Sequence, residues 1–309
     1  MKGALLLSVS PASTMSTPHA RLALAVAAGA LAALIYGGQF VVTRWSMQRT
    51  MSLWDLAALR FAVAGLVMLP LVLRHGVAGA AGIGWKRALV LAITAGAPYT
   101  LIMQAGLVLA PAAHGAVIVP GATPIVSAVL LWLWLGERPW PVKVGGLGLI
   151  VIGLVLVGWP ALAGGGDDVV WVGDLLFIGA AVLWGLFTVL TRLWRIDPIL
   201  GTAMVWVMSL AYLPFYVLLS GASLLQVPLG EVIFQAVYQG IGVAVVALVL
   251  FSWAIRVLGV SFASLFMPLV PVFGVLLGVP VLGEVPAPIQ LAGMLAVAAG
   301  IALAALRGR

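Results

Sequence analysis

Ten stretches of the chain are apolar on every side, with no 3.6-residue period separating a dry face from a wet one. That pattern marks helices immersed in lipid or in other helices, not helices lying on a soluble core. Each stretch is close to the ~20 residues a helix needs to cross about 30 Å of hydrocarbon. The predicted spans are 22–43, 53–73, 87–109, 113–135 and 142–159. Beyond a break at Gly164–Asp168 come 172–191, 198–219, 231–255, 260–282 and 287–306. Residues 1–21 are rich in Ala, Ser, Thr and Pro, and the apolar stretch Ala4–Val9 behind Lys2 is shorter than a signal-peptide core. They read as a disordered leader, and residues 161–171 read as a linker.

Composition agrees with the pattern. The chain is 64% hydrophobic and 7% charged, with a mean hydropathy of +1.25, whereas a soluble surface needs about 25% charged residues. With no cysteine, disulfides, thiolate nucleophiles and thiolate metal sites are excluded. His19, His75 and His114 lie far apart, so neither a metal nor another cofactor is expected. The pI of about 10.4 comes from basic residues in short connections, and no basic cluster interleaved with aromatics points to nucleic acid. The expected partners are the lipid bilayer and a small-molecule substrate.

The charges orient the spans. With the N-terminus in the cytoplasm, Lys2, Arg21, Arg74, Lys86, Arg87, Arg138, Lys143, Arg192, Arg195, Arg256, Arg307 and Arg309 fall inside, and only Arg44 and Arg49 outside. Such a bias is the positive-inside signature. The acids Asp167, Asp168, Asp174, Glu231 and Glu284 fall outside. Ten spans with both termini cytoplasmic, in a bacterial inner membrane, is the predicted topology.

Shifted by about 148 residues, the sequence partly overlays itself. Tyr36-Gly37 falls on Trp184-Gly185, Thr43-Arg44 on Thr191-Arg192, and Pro120 on Pro268. One residue is then lost, so Pro124 meets Pro271 only approximately. Gly136-Glu137 meets Gly283-Glu284, Pro139 and Pro141 meet Pro286 and Pro288, and Gly146 and Gly153 meet Gly293 and Gly300. Two units, 22–160 and 172–306, hold five spans each. Because five is odd, the second enters the membrane inverted, an arrangement that in secondary transporters places the substrate near midplane between the halves. The predicted fold is an all-α membrane protein of ten transmembrane helices as two inverted five-helix repeats.

Ten spans in two such units, an Arg in span two, and Gly-Glu closing spans four and nine resemble the drug/metabolite transporter superfamily, EamA type, over residues 22–306. The Trp-rich chain is most similar to bacterial exporters of aromatic and other hydrophobic amino acids. The resemblance implies a basket of helices around a central cavity, outward transport, and no enzymatic activity.

No span centre holds Asp, Glu, Lys or His, which argues against small multidrug carriers that hold cations on a buried carboxylate. Arg60, a third of the way into span two, has two readings. It binds a substrate carboxylate, or it snorkels outward to Asp55 or a helix-end carbonyl. The second unit has Met208 there. Tyr36 with Gln39 in span one, Trp184 with Thr188 in span six, Tyr99 in span three, and Tyr238 with Gln239 in span eight are the candidate cavity residues. Their amides, hydroxyls and rings suit an ammonium, a carboxylate and an apolar side chain. The competing role is interhelical packing.

Pro120 and Pro124 in span four, and Pro268 and Pro271 in span nine, each remove a backbone hydrogen bond. They mark either hinges beside the pathway or static kinks. The Gly146/Gly153 and Gly293/Gly300 stripes suit close packing, and Trp residues at span ends suit an aromatic belt. The function predicted is a secondary transporter exporting aromatic or other hydrophobic amino acids by alternating access. Export of other metabolites or drugs, a channel, or a membrane enzyme are the alternatives.

Overall fold

The computed structural model describes residues 18–163, 169–221 and 223–306; the expected leader up to residue 17 and the Gly164–Asp168 break lie outside them. All regular structure among the described residues is helical. Among the described residues, ten helices are long and apolar enough to cross a membrane. Spans one to five are Ala20–Met47, Leu53–His75, Trp85–Leu109, Ala112–Leu135 and Pro141–Pro160. Spans six to ten are Val170–Leu193, Pro198–Ser220, Leu229–Leu258, Ser264–Leu282 and Pro288–Ala305. The face carrying Arg74, Lys86, Arg87, Arg138, Arg192 and Arg256 is here the basic face. The other, carrying Asp55, Asp174, Glu231 and Glu284, is the acidic face.

Local chemistry sets the helix ends. Pro141, Pro198 and Pro288 open spans five, seven and ten, where the missing N–H has no intrahelical partner to lose. Ser52 and Asp55 form a reciprocal capping box at the start of span two. Gly136 and Gly283 close spans four and nine in the left-handed region, with φ of 67° and 70°, so the two Gly-Glu pairs end their helices in the same way.

The halves interlock as an inverted repeat requires. Span one packs on spans eight and nine of the other half, and span six packs on spans three and four. Spans two and seven meet across the pseudo-two-fold, as do spans five and ten. The last pair is held by glycine. A Cβ added at Gly153 would stand 2.6 Å from the Gly293 carbonyl oxygen, and one at Gly146 would stand 2.8 Å from that of Gly300. Close approach of two backbones is how helices gain dispersion contact in lipid, where no hydrophobic drive separates them from the tails.

Departures from regular helix fall in four spans, and in span seven a turn at Leu210–Ala211 separates Pro198–Ser209 from Tyr212–Ser220. Span three breaks at Gly96 and restarts with Pro98 in its first turn. The repeat-related part of span eight is a π-helix, Ala236–Val246. Span nine begins with a 3₁₀ turn, Ser264–Phe266, and becomes α-helical only at Leu269, with Pro268 as the cap. Span four runs unbroken through Pro120 and Pro124. The two proline pairs thus occupy different local structures despite their repeat relation.

Candidate functional site

Span two carries Arg60 two turns below its Ser52–Asp55 cap, and the side chain is buried, 2% exposed. Its Nη2 donates to the Gln39 amide oxygen at 3.3 Å and, in a shorter bond, to that of Gln239. Gln239 turns its amide nitrogen to the Thr43 hydroxyl, 2.7 Å away. One turn earlier, Gln235 donates to Ser46 Oγ at 2.6 Å and to the Val42 carbonyl at 3.1 Å. A ladder of amides and hydroxyls therefore joins spans one and eight, and the guanidinium sits on one end of it.

No carboxylate balances this cation among the described residues. Asp55 accepts from the hydroxyls of Tyr216 and Ser223, both at 2.6 Å, and from Ser52. Its lone pairs are thereby committed to capping span two and tying it to span seven. Outward snorkelling of Arg60 to Asp55 is not the arrangement found. Two neutral amide oxygens replace only part of the hydration that a buried charge loses, and Arg60 Nε has no hydrogen-bond partner among the described residues.

An aromatic wall adjoins the cation. Tyr99, at the restart of span three, lies 5.1 Å from Trp184 between ring centroids, and Trp184 lies 5.2 Å from Phe187. Tyr99 and Tyr238 are both within electrostatic reach of Arg60, and Tyr36 is within reach of Tyr99. Tyr238 donates to the Ile35 carbonyl at 3.1 Å. Its hydroxyl covers Gly38, where an added Cβ would stand 2.5 Å from it. Arg60, Gln39, Gln239, Tyr36, Tyr99, Tyr238 and Trp184 thus converge. Thr188 does not: it is exposed and donates to its own helix at the Trp184 carbonyl. Gln39 and Gln239, which touch Arg60, are buried with it.

Several polar residues were not anticipated. Thr43 and Gln235 complete the amide ladder; their spacing of four from Gln39 and Gln239 puts each pair on one helix face and was the available signal. Thr100 and Gln104 have the same spacing and are fully buried, with no partner for the hydroxyl or for either amide atom among the described residues. Asp174, expected on the outer side at the start of span six, is buried there and accepts at 2.7 Å from His114 in span four. Gln290 of span ten contacts the other ring nitrogen of His114 at 2.9 Å. Spans four, six and ten enclose that acid.

Two five-helix units packed around a buried polar and aromatic cluster make this a multi-pass membrane protein. The EamA-like transporter family matches residues 23–159 and again residues 171–306, and the chain belongs to that family. A 66-residue stretch is 41% identical to the "Uncharacterized transporter YvbV" of Bacillus subtilis (strain 168), covering 21% of each chain. A crystal structure described only as that of a protein aligns with a TM-score of 0.60 at 24% identity, over 91% of this chain and 98% of that one. That likeness concerns the fold alone.

Proposed function

We propose that this transporter is a secondary carrier for small metabolites bearing a carboxylate and an apolar or aromatic side chain, with aromatic and hydrophobic amino acids as the leading substrates. The observation that carries the reading is Arg60, a buried guanidinium a third of the way into span two whose partners are amide oxygens and not a carboxylate. A substrate carboxylate supplies the missing charge, and charge-assisted bonds to a guanidinium are among the strong polar contacts. Tyr99 and Trp184 offer ring faces to the side chain. The substrate ammonium has the tyrosine hydroxyls and the amide oxygens of Gln39 and Gln239 as acceptors.

Burial of Arg60 and its two amide partners favours alternating access over an open pore, because a carrier passes through a state in which its site is sealed. The basic face is assigned to the cytoplasm of a bacterial inner membrane by the positive-inside rule, and export is the direction drawn from the family resemblance. The deciding experiment is transport in proteoliposomes with a panel of amino acids, nucleosides and cationic drugs. Saturable movement of phenylalanine or leucine supports the reading. Movement of cationic drugs alone overturns it, and non-saturating conduction replaces the carrier with a channel.

A further inference from the structure

The repeat register places Arg44 on Arg192 and Glu137 on Glu284. In the folded chain each arginine pairs with the glutamate of the other half. Arg44 Nε lies 2.5 Å from Glu284 Oε1 at the acidic face, and Arg192 Nη2 lies 3.0 Å from Glu137 Oε1 at the basic face. Exchange of the halves turns one pair into the other.

Their surroundings differ. The Arg44 and Glu284 side chains are 17% and 15% exposed. Arg44 Nη1 also donates to the carbonyls of Leu107 and Ala110 at the end of span three. Glu284 Oε2 accepts the Ala112 amide, 2.8 Å away, at the start of span four. One ion pair thereby clamps spans one, three, four and nine together. The Arg192 and Glu137 side chains are 59% and 45% exposed, joined by a single contact. Such an exposed pair adds little to stability. Its image seat exists: Ile255 and Leu258, at the end of span eight, hold the positions of Leu107 and Ala110. Arg192 is not bonded to it.

We propose that the two pairs are alternating latches, a role that rests on the carrier reading above. In this conformation Arg44–Glu284 is seated and seals the acidic face, while Arg192–Glu137 is slack. In the opposite conformation the roles exchange: Arg192 seats on the carbonyls ending span eight, Glu137 reaches the start of the following helix, and Arg44–Glu284 opens to water. Because the seats are images of one another, the two states have similar latch energies, which is what a reversible two-state carrier requires.

The chain has no cysteine, so a single Tyr99→Cys reporter in the site reads which face admits a membrane-impermeant maleimide, applied to right-side-out and inverted vesicles. Arg44→Gln removes the seated latch, and labelling from the acidic face rises about tenfold, a shift within the usual range of coupling effects. Glu137→Gln removes the latch of the opposite state, so labelling from the acidic face falls. The conservative Arg44→Lys keeps a cation that faces Glu284 and donates to the Leu107 and Ala110 carbonyls, and it returns acidic-face labelling toward the parent value, which separates latch loss from misfolding. Labelling that moves in the same direction for Arg44→Gln and Glu137→Gln, or does not move for either, overturns the proposal. Saturable transport with unmoved labelling overturns the latches and leaves the carrier. Opposed labelling, with no transport of any panel member by the parent chain that keeps Tyr99, overturns the substrate assignment and leaves the latches.

Discussion

A guanidinium held by amide oxygens has two properties that pull apart on mutation. As a ligand for a carboxylate, Arg60 contributes charge-assisted bonds worth about 1.5–3 kcal/mol each. As a buried cation without a counter-charge, it weakens the fold that carries it. Arg60→Met installs the residue that the second repeat has at Met208. The variant is expected to lose at least about tenfold in affinity for carboxylate substrates, while its thermal midpoint in detergent equals or exceeds that of the parent. A lower midpoint with unchanged affinity makes Arg60 a structural residue. Replacing Tyr99 by Ala lowers affinity for phenylalanine more than for leucine, because ring stacking is lost; equal losses in equilibrium binding remove the aromatic wall from the site.

Much of this site was legible as chemistry and little of it as geometry. Arg60, Gln39 and Gln239 stand out as polar residues inside apolar spans, where each needs a partner. Which partner depends on span one facing span eight, a fact of tertiary packing that no local pattern carries. Thr188 reads as a cavity residue beside Trp184, but it is exposed and bonded to its own backbone. Asp174 was grouped with Asp167 and Asp168 by proximity in sequence, whereas the burial that decides its role comes from spans four and ten.

At the scale of elements, span positions follow from apolar length alone, and their ends fall within a few residues of Pro, Gly and capping-box signals. The irregular segments are harder to foresee. The π-helix in span eight contains no proline and carries Tyr238 and Gln239, in keeping with the association of π-segments with functional sites. Prolines, which are visible in sequence, produce a restart at Pro268 but no interruption at Pro120. Span nine is therefore the better candidate for bending. Pro268→Ala lets the helix continue through the restart and is expected to lower maximal transport rate severalfold with little change in half-saturation, whereas Pro120→Ala leaves both near parent values. Initial-rate uptake into liposomes separates the two cases.

At the scale of the whole molecule, duplication accounts for the packing. Contacts of span one with spans eight and nine recur as contacts of span six with spans three and four. Spans five and ten differ, because their contact is its own image: Gly153 on Gly293 becomes Gly300 on Gly146. Gly153→Val forces side-chain carbons into a space that ends 2.6 Å away at a carbonyl oxygen. Overpacking of this kind is expected to cost about 1–3 kcal/mol, read as a fall in thermal midpoint and in monodisperse yield. An interface that uses the same patch from both sides is isologous, and it joins two separate copies of one unit as readily as two fused copies. The glycine stripe is thus the surface through which a single five-helix ancestor, inserted in both orientations, could pair with itself before the linker made the partnership permanent.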